Sequence, residues 1–321
     1  MALQLAAQPG RDETLAASYL QNGEYDKAAE LYQSLWEKNN NDIKFYTPLY
    51  KCLLALKKYD ELEKVVKKQV KKNDGVAQYL VDLGYLYANV PDANKAKDQY
   101  EKALKEMKPN EISIRGTANA FESYRLYDYV IEAYDRGGKM IKNETHFSFE
   151  EANAHLAVAD IAGAVKWYLV NFETFPQNAQ IIKNTIQTSP NEEKLLDEME
   201  TQLYAKAQKA PNNDDYIDLL TWVYIQNKDF EGALVQMKAL DKRKGEAGYR
   251  VLNIAGMAQT EGFYDEAIAG YEYVVNKGQQ SPLYFQARTA LLNCRKEHVA
   301  KNINYTHADL VGLENDYVAF L

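Results

Sequence analysis

Aromatic residues recur along this chain at a fixed spacing. Tyr25 and Tyr59 are one step of about 34 residues apart, Tyr127 follows after two further steps, and Phe230 and Tyr264 are again one step apart. A fixed period of this size indicates an array of short units, each packing mainly on its neighbours. The 321 residues therefore do not have to be divided into ordinary globular domains.

The third unit shows the internal pattern of a repeat most clearly. Apolar residues at helical spacing from Leu80 to Tyr87 predict a first helix, and those from Ala96 to Ala103 predict a second. Small residues at Gly84 and Ala96 are expected where the two helices cross, because only a small side chain allows close approach. Each unit is thus predicted to be a helix hairpin.

These residues carry a resemblance to a known family. In order, the third unit reads Leu80, Leu83, Gly84, Tyr87, Ala96, Tyr100 and Pro109. This resembles the tetratricopeptide repeat (TPR), whose pattern is W-x2-L-G-x2-Y, A-x3-F and P over about 34 residues. Leu80 replaces the Trp, Tyr100 replaces the Phe, and Pro109 falls one residue late. The resemblance implies an all-α, right-handed superhelical solenoid of antiparallel helix pairs, with about eight TPR-like units plus a terminal partial unit.

The same ladder predicts the organisation of the chain. Residues 10–177 form units one to five, 178–212 an atypical unit one residue longer than the usual period, 213–281 units seven and eight, and 282–321 terminal helices, the first of which ends near Glu297. In the sixth unit a short first helix is followed by Ser189-Pro190, which is typical of a helix start with Ser as the cap. The sixth unit is either a bend or hinge between two stacks or a degenerate repeat that packs normally.

The two ends of the chain each leave two interpretations open. Residues 1–9 resemble the end of a signal peptide, which predicts a periplasmic or cell-envelope location, or they are a disordered start of a cytoplasmic protein. The last helix carries an apolar stripe, Leu310, Leu313, Tyr317 and Phe320. Either the chain is a fragment of a longer protein, or this face packs on a partner, possible self-association included.

Composition and residue spacing argue against several function classes. The net charge of −8 disfavours nucleic acid, which needs a clustered positive surface. No apolar stretch approaches the roughly 20 residues that span a bilayer. His155 is expected to be a packed core residue, and no pair among the four histidines has metal-ligand spacing. We therefore predict no catalytic, cofactor-binding or metal-binding residues, no disulfide, and no enzyme activity.

The resemblance also predicts where a partner binds. In this family the first helices of successive units line a concave groove that holds peptides or partner helices. One groove register, at steps of one repeat, contains Lys51, Tyr85, Asn119, Asn153, Gln187 and Trp222. One helical turn earlier are Val81, Arg115, Phe149 and Asp218, and one turn later are Asn89, Ser123 and Gln226. Amides can bond a peptide backbone, and aromatic residues and Arg commonly anchor interfaces.

The predicted function is a non-catalytic protein–protein interaction scaffold that binds a peptide or protein partner in this groove. The alternative is a recruiting or sensory TPR arm of a larger enzyme or regulator that extends beyond Leu321. The clamp by which chaperone-binding members hold a C-terminal carboxylate is disfavoured. Arg115 and Asn119 match its first turn, but Glu150 lies near the place where a second Asn is needed.

Overall fold

A computed structural model describes residues 9–39, 42–73, 75–90, 93–301 and 305–320. In these ranges the regular structure consists of α-helices and one 3₁₀ helix, Pro176–Asn178, without a strand. The all-α repeat prediction is therefore confirmed. Residues 1–8 of the predicted leader lie outside the described residues, as do Pro91 and Asp92 in the turn of the third unit. No described helix has the length and apolar character required to span a membrane.

The chain divides into two compact units, of which the first is Met1–Pro176. Its described helices pack in consecutive pairs. They are α1 (Pro9–Gln21), α2 (Tyr25–Lys38), α3 (Ile43–Ala55), α4 (Tyr59–Lys72), α5 (Ala77–Ala88), α6 (Ala93–Lys105), α7 (Glu111–Glu122), α8 (Tyr127–Met140), α9 (Ser148–Ala157) and α10 (Ile161–Thr174). These five pairs are predicted repeats one to five.

The second compact unit is Gln177–Leu321. Its described helices also pack in consecutive pairs. They are α11 (Ala179–Gln187), α12 (Glu192–Lys209), α13 (Asp214–Gln226), α14 (Phe230–Lys244), α15 (Tyr249–Glu261), α16 (Tyr264–Val275), α17 (Tyr284–Lys301) and α18 (His307–Phe320). The pair α17 and α18 is the terminal partial unit, and α17 extends beyond the predicted end at Glu297.

The aromatic ladder has a single structural meaning, because every one of its residues is the first residue of a second helix. In six of the turns, the residue two positions before the second helix has a left-handed backbone conformation. These residues are Gly23, Lys57, Arg125, Ala159, Lys228 and Gly262. Only Gly adopts this conformation without a steric cost. The tight turn between paired helices is therefore the recurring geometric element of this array of repeats.

Close helix crossing explains the small residue at Gly84. A Cβ atom built there would lie 2.3 Å from a ring atom of Tyr100 on the paired helix. Cβ atoms built at Gly137 and Gly270 would be similarly close to Ile114 and Ala255, at 2.5 and 2.7 Å. The prediction that a small side chain is needed at this crossing is confirmed for Gly84.

One local prediction is wrong, and another holds only in part. His155 is packed but not fully buried, since 19% of its side chain is exposed, and its Nδ1 lies 2.8 Å from Asp160 Oδ2. Ser189 does not cap α12, which begins three residues later at Glu192; its hydroxyl instead accepts a hydrogen bond from the Asn191 N–H at 3.1 Å. Cys52 and Cys294 are both buried free thiols. Whether the sixth unit bends the array stays a prediction.

Candidate functional site

In the first compact unit, a buried carboxylate joins three successive first helices. Asp82 on α5 is 2% exposed. Its oxygens accept hydrogen bonds from Tyr46 Oη, Tyr124 Oη and Gln78 Nε2, each at 2.7 Å. Burial raises the pKa of Asp82 even though these hydrogen bonds lower it. Since Tyr46 belongs to α3 and Tyr124 follows α7, Asp82 fixes the relative positions of α3, α5 and α7.

Tyr85 lies directly beside this network. Its ring stacks on that of Tyr124, with centroids 4.1 Å apart and an angle of 22° between the planes. Tyr124 is itself held by Asp82, so the orientation of Tyr85 depends on this part-buried hydrogen bond. Both rings are half-buried, which leaves a pre-oriented aromatic surface at this position of the predicted groove.

Two asparagines continue the same register on α7 and α9, and both are exposed. Asn153 Oδ1 accepts a hydrogen bond from Tyr168 Oη at 2.7 Å, which holds its amide in place. The side chain of Asn119 has no hydrogen-bond partner within the described part of the chain. These amides can therefore bond the backbone of an extended peptide.

Arg115 is already paired with two carboxylates and is not a free cation in the groove. Its Nε donates to Glu111 at 2.7 Å, and its Nη1 bonds Glu150 on α9. Burial alone would lower the pKa of Arg115, but the bonds to the two carboxylates outweigh burial and raise it. The guanidinium also lies 5.2 Å from the centroid of the Phe147 ring. With its charge balanced in this way, Arg115 is poorly suited to hold a C-terminal carboxylate.

Three other predicted residues in this unit differ in their environments. Lys51 is exposed on α3. Asn89 is exposed and caps the end of α5. Its side-chain amide donates to the backbone oxygen of Tyr85 at 2.8 Å. Val81 is fully buried, so its placement in the groove is wrong. Neighbouring helices cover α5, of which eight residues are buried.

A cavity of about 240 Å³ adjoins Asn153. It lies between the end of α7, the surface of α8 and the side of α9. Its walls are Glu122, Tyr127, Val130, Tyr134, Glu150, Asn153, Ala154 and Ala157. The cavity has the size of one long side chain and combines an aromatic wall with carboxylates at its edge.

The second compact unit contains the remaining predicted residues. Trp222 on α13 lies under the ammonium of Lys183, which is 5.3 Å from the ring centroid. Burial lowers the pKa of Lys183. Asp218 accepts from Arg250 at 2.5 Å, and Gln226 Oε1 accepts from Gln187 Nε2 at 2.7 Å. Trp222 and its neighbours thus form a polar and aromatic surface on α11, α13 and α15.

A second cavity, of about 580 Å³, lies beside Gln226. It occupies the same place in the repeat as the first, between the first helices α13 and α15 and over the start of α14. Its walls are Ile225, Gln226, Lys228, Phe230, Asn253, Gly256, Met257, Thr260 and Glu261. The exposed Lys228 and Glu261 pair with each other at 2.8 Å.

Sequence reasoning missed the groups that organise the surface in the first compact unit. Asp82 and Tyr124 were not among the candidates, and neither was Glu122. One signal could have identified Asp82, which is the only charged residue between Val76 and Ala88 in an otherwise apolar and aromatic helix. A lone carboxylate in such a stretch predicts a buried, hydrogen-bonded group.

Glu151, on α9, is a second buried carboxyl group. It is 2% exposed, and burial followed by the nearby carboxylate of Asp135 raises its pKa to about 8. Lys166 and Lys139 oppose this shift, whereas Glu150 adds to it. The native state therefore holds a proton on Glu151 over a pH range in which the unfolded chain has lost it.

We expect Glu151→Gln to make the protein more resistant to alkaline pH. Since the pKa of Glu151 is raised on folding, wild-type stability falls as pH rises from the usual glutamate range to about 8. The variant lacks this loss, so the difference in melting temperature between variant and wild type should grow across that range. Thermal unfolding followed by circular dichroism measures it, with the exposed Glu193→Gln as control. Parallel profiles for Glu151→Gln and wild type would contradict the assignment.

Comparisons with known proteins give one family match. A model of the family described as anaphase-promoting complex, cyclosome, subunit 3 matches residues 5–69. No curated protein matches the chain at a significant level. Within the described residues, no group of three or more His, Cys, Asp or Glu side chains could hold a metal ion.

Several solved structures match part or most of the chain. The MamA protein is 17% identical over 53% of this chain and 96% of its own, with a TM-score of 0.30. The C-terminal part of a TPR protein from Cytophaga hutchinsonii is 14% identical over 86% of this chain and 98% of its own, with a TM-score of 0.33. A thermophilic TPR protein from Thermus thermophilus is 15% identical over 54% of this chain and 94% of its own, with a TM-score of 0.32. The assignment of a helical-repeat fold rests on the recurring helix pairs described above, and the family model adds support for residues 5–69.

Proposed function

We propose that this chain, whose helix pairs and sequence pattern resemble those of tetratricopeptide repeat proteins, is a non-catalytic scaffold that binds a protein or peptide partner on its first helices. The observation that carries this proposal is the row formed by Tyr85, Asn119 and Asn153 on α5, α7 and α9. Tyr85 is fixed by stacking, Asn153 by a hydrogen bond, and Asn119 is exposed. An ordered receptor surface loses little conformational entropy on binding.

The two buried acidic groups are not placed for general acid or base catalysis. Asp82 is enclosed by tyrosine hydroxyls, and Glu151 is 2% exposed. Neither lines the two cavities beside the first helices. A general acid or base has to reach a substrate proton within hydrogen-bond distance. The same scaffold could act as the recruiting arm of a larger enzyme or regulator, which the full-length reading frame would decide.

We expect Asn119→Ala and Trp222→Ala to weaken peptide binding about tenfold, or about 1.4 kcal/mol, without changing helical content. A phage-displayed library of random peptides, selected on the wild-type protein, supplies the probes, and fluorescence anisotropy measures each Kd. Asn119 tests the first compact unit and Trp222 the second. Lys97→Ala, at an exposed position of α6, is the control on a second helix.

The proposal is decided by which variants each selected peptide binds more weakly than wild type. Each selected peptide should respond to Asn119→Ala or to Trp222→Ala and should bind the Lys97→Ala variant normally. Peptides that bind all three variants as tightly as wild type would count against binding on the first helices.

A further inference from the structure

We infer that the cavity beside Asn153 binds a basic side chain, lysine or arginine, of the partner. This inference rests on the proposed function and specifies the chemistry of one contact within it. The cavity volume of about 240 Å³ accommodates one such side chain. The shape, the wall chemistry and the charge of the cavity each support this assignment.

The walls suit the aliphatic part of a long side chain. Val130 and Tyr134 on α8 are buried core residues whose edges close the cavity, and Tyr127 is half-buried beside them. Ala154 and Ala157 on α9 leave the space open. Lys and Arg bury their methylene groups on apolar surface while the charged group remains at the edge. A guanidinium or ammonium also binds favourably against a tyrosine ring.

The edge of the cavity has excess negative charge. Glu150 is paired with Arg115, which is also bonded to Glu111. Glu122, the last residue of α7, is exposed, and no ion-pair partner is found for it in the ranges that the structure describes. Of the two carboxylates on the cavity walls, Glu150 is therefore already paired, and the carboxylate of Glu122 is available to an incoming cation.

The equivalent cavity of the second compact unit provides an internal comparison. There Ile225 occupies the position in the repeat that Glu122 occupies in the first, and the charges of Lys228 and Glu261 satisfy each other at 2.8 Å. It therefore has no uncompensated carboxylate of this kind among its described walls. Of these two equivalent cavities, only the one beside Asn153 should therefore prefer basic groups.

Methyl NMR with small probes tests the inference directly. With alanine methyl groups labelled, n-butylguanidinium and n-butylammonium should shift the Ala154 and Ala157 signals, and butyrate should not. Glu122→Gln should weaken the response to both cations at least fivefold. Glu193→Gln, a matched change at an exposed position of α12, should leave it unchanged. Equal responses to butyrate and to the cations, or no response, would overturn the inference.

Peptide selection separates failure of this inference from failure of the proposed function. Peptides that depend on Asn119 should carry Lys or Arg at one fixed position, and selection on Glu122→Gln should lose that enrichment. Peptides that depend on Asn119 but show no basic preference would refute the inference and leave the proposed function intact. Methyl shifts on addition of the cations, in the absence of any peptide sensitive to Asn119→Ala, would support the inference about the cavity and refute the proposed function.

Discussion

Replacing Asp82 by Ala is expected to lower the free energy of unfolding of the first compact unit by about 3 kcal/mol. The substitution removes the acceptor of Tyr46, Tyr124 and Gln78, each bonded at 2.7 Å. The Tyr46 hydroxyl is then left without this partner in a buried site, and the donors of Tyr124 and Gln78 lose theirs in part-buried positions. A buried donor without a partner costs about 1–3 kcal/mol. Urea unfolding followed by circular dichroism measures the loss.

Asp82→Asn is the matched control because it keeps the shape of the side chain and one acceptor oxygen. It should cost less than Asp82→Ala. The pH dependence of its stability relative to wild type should also be opposite in sign to that of a variant that has lost an ordinary ion pair. Burial raises the pKa of Asp82, so native Asp82 retains a proton more readily than the unfolded chain, and wild-type stability falls as pH rises above the usual aspartate range. The Asn variant should lack this fall.

The Asp82 variants also connect stability with binding. Tyr124 loses its hydrogen bond in Asp82→Ala, and the stacked ring of Tyr85 loses its fixed support. Peptides that depend on Asn119 should therefore bind this variant more weakly than they bind Asp82→Asn. An Ala variant as stable as wild type would show that Asp82 does not hold α3, α5 and α7 together.

Gly84→Val is expected to destabilise the first compact unit by about 3 kcal/mol. The nearest ring atom of Tyr100 would lie 2.3 Å from the new Cβ, so the ring would have to move. Tyr100 has little room to do so, because Phe121 and Tyr129 lie against it with centroids at 5.7 and 4.9 Å. Thermal and urea unfolding measure the effect.

Gly116→Ala provides the control for a helical glycine in the next first helix. No atom lies within 4 Å of a Cβ built at Gly116, so the change adds no clash. It should stabilise the protein by roughly 0.5–1 kcal/mol, because Ala loses less backbone entropy than Gly in a helix. Similar losses for Gly84→Val and Gly116→Ala would show that the crossing with Tyr100 is not the cause.

The repeat pattern was readable from sequence because it reflects local and nearest-neighbour constraints. The residues from Tyr25 to Tyr264 recur at a fixed interval because each begins the second helix of its pair after the same tight turn. Gly84 was readable because contact between paired helices limits side-chain size at a fixed place in the motif. His155 was only partly readable, because its side chain is mostly buried but its Nδ1 also pairs with Asp160 in the turn.

The surface of the first helices was only partly readable, because it depends on which side chains meet across different repeats. The family register placed Val81 in the groove, yet neighbouring helices bury it. Arg115 was a reasonable anchor by type, but Glu150, from the next repeat, neutralises it. The importance of Glu122 appears only when α7, α8 and α9 enclose a cavity.

By itself, the sequence determined the fold class and the helix pairs and predicted one register on the first helices, because a solenoid repeats the same short-range contacts in every unit. Only the tertiary structure decided which residues in that register are exposed, which charges are already balanced and which are left available. Those properties arise from side chains that belong to different repeats and are distant in sequence, such as Tyr46, Asp82 and Tyr124, and no local pattern specifies how they meet.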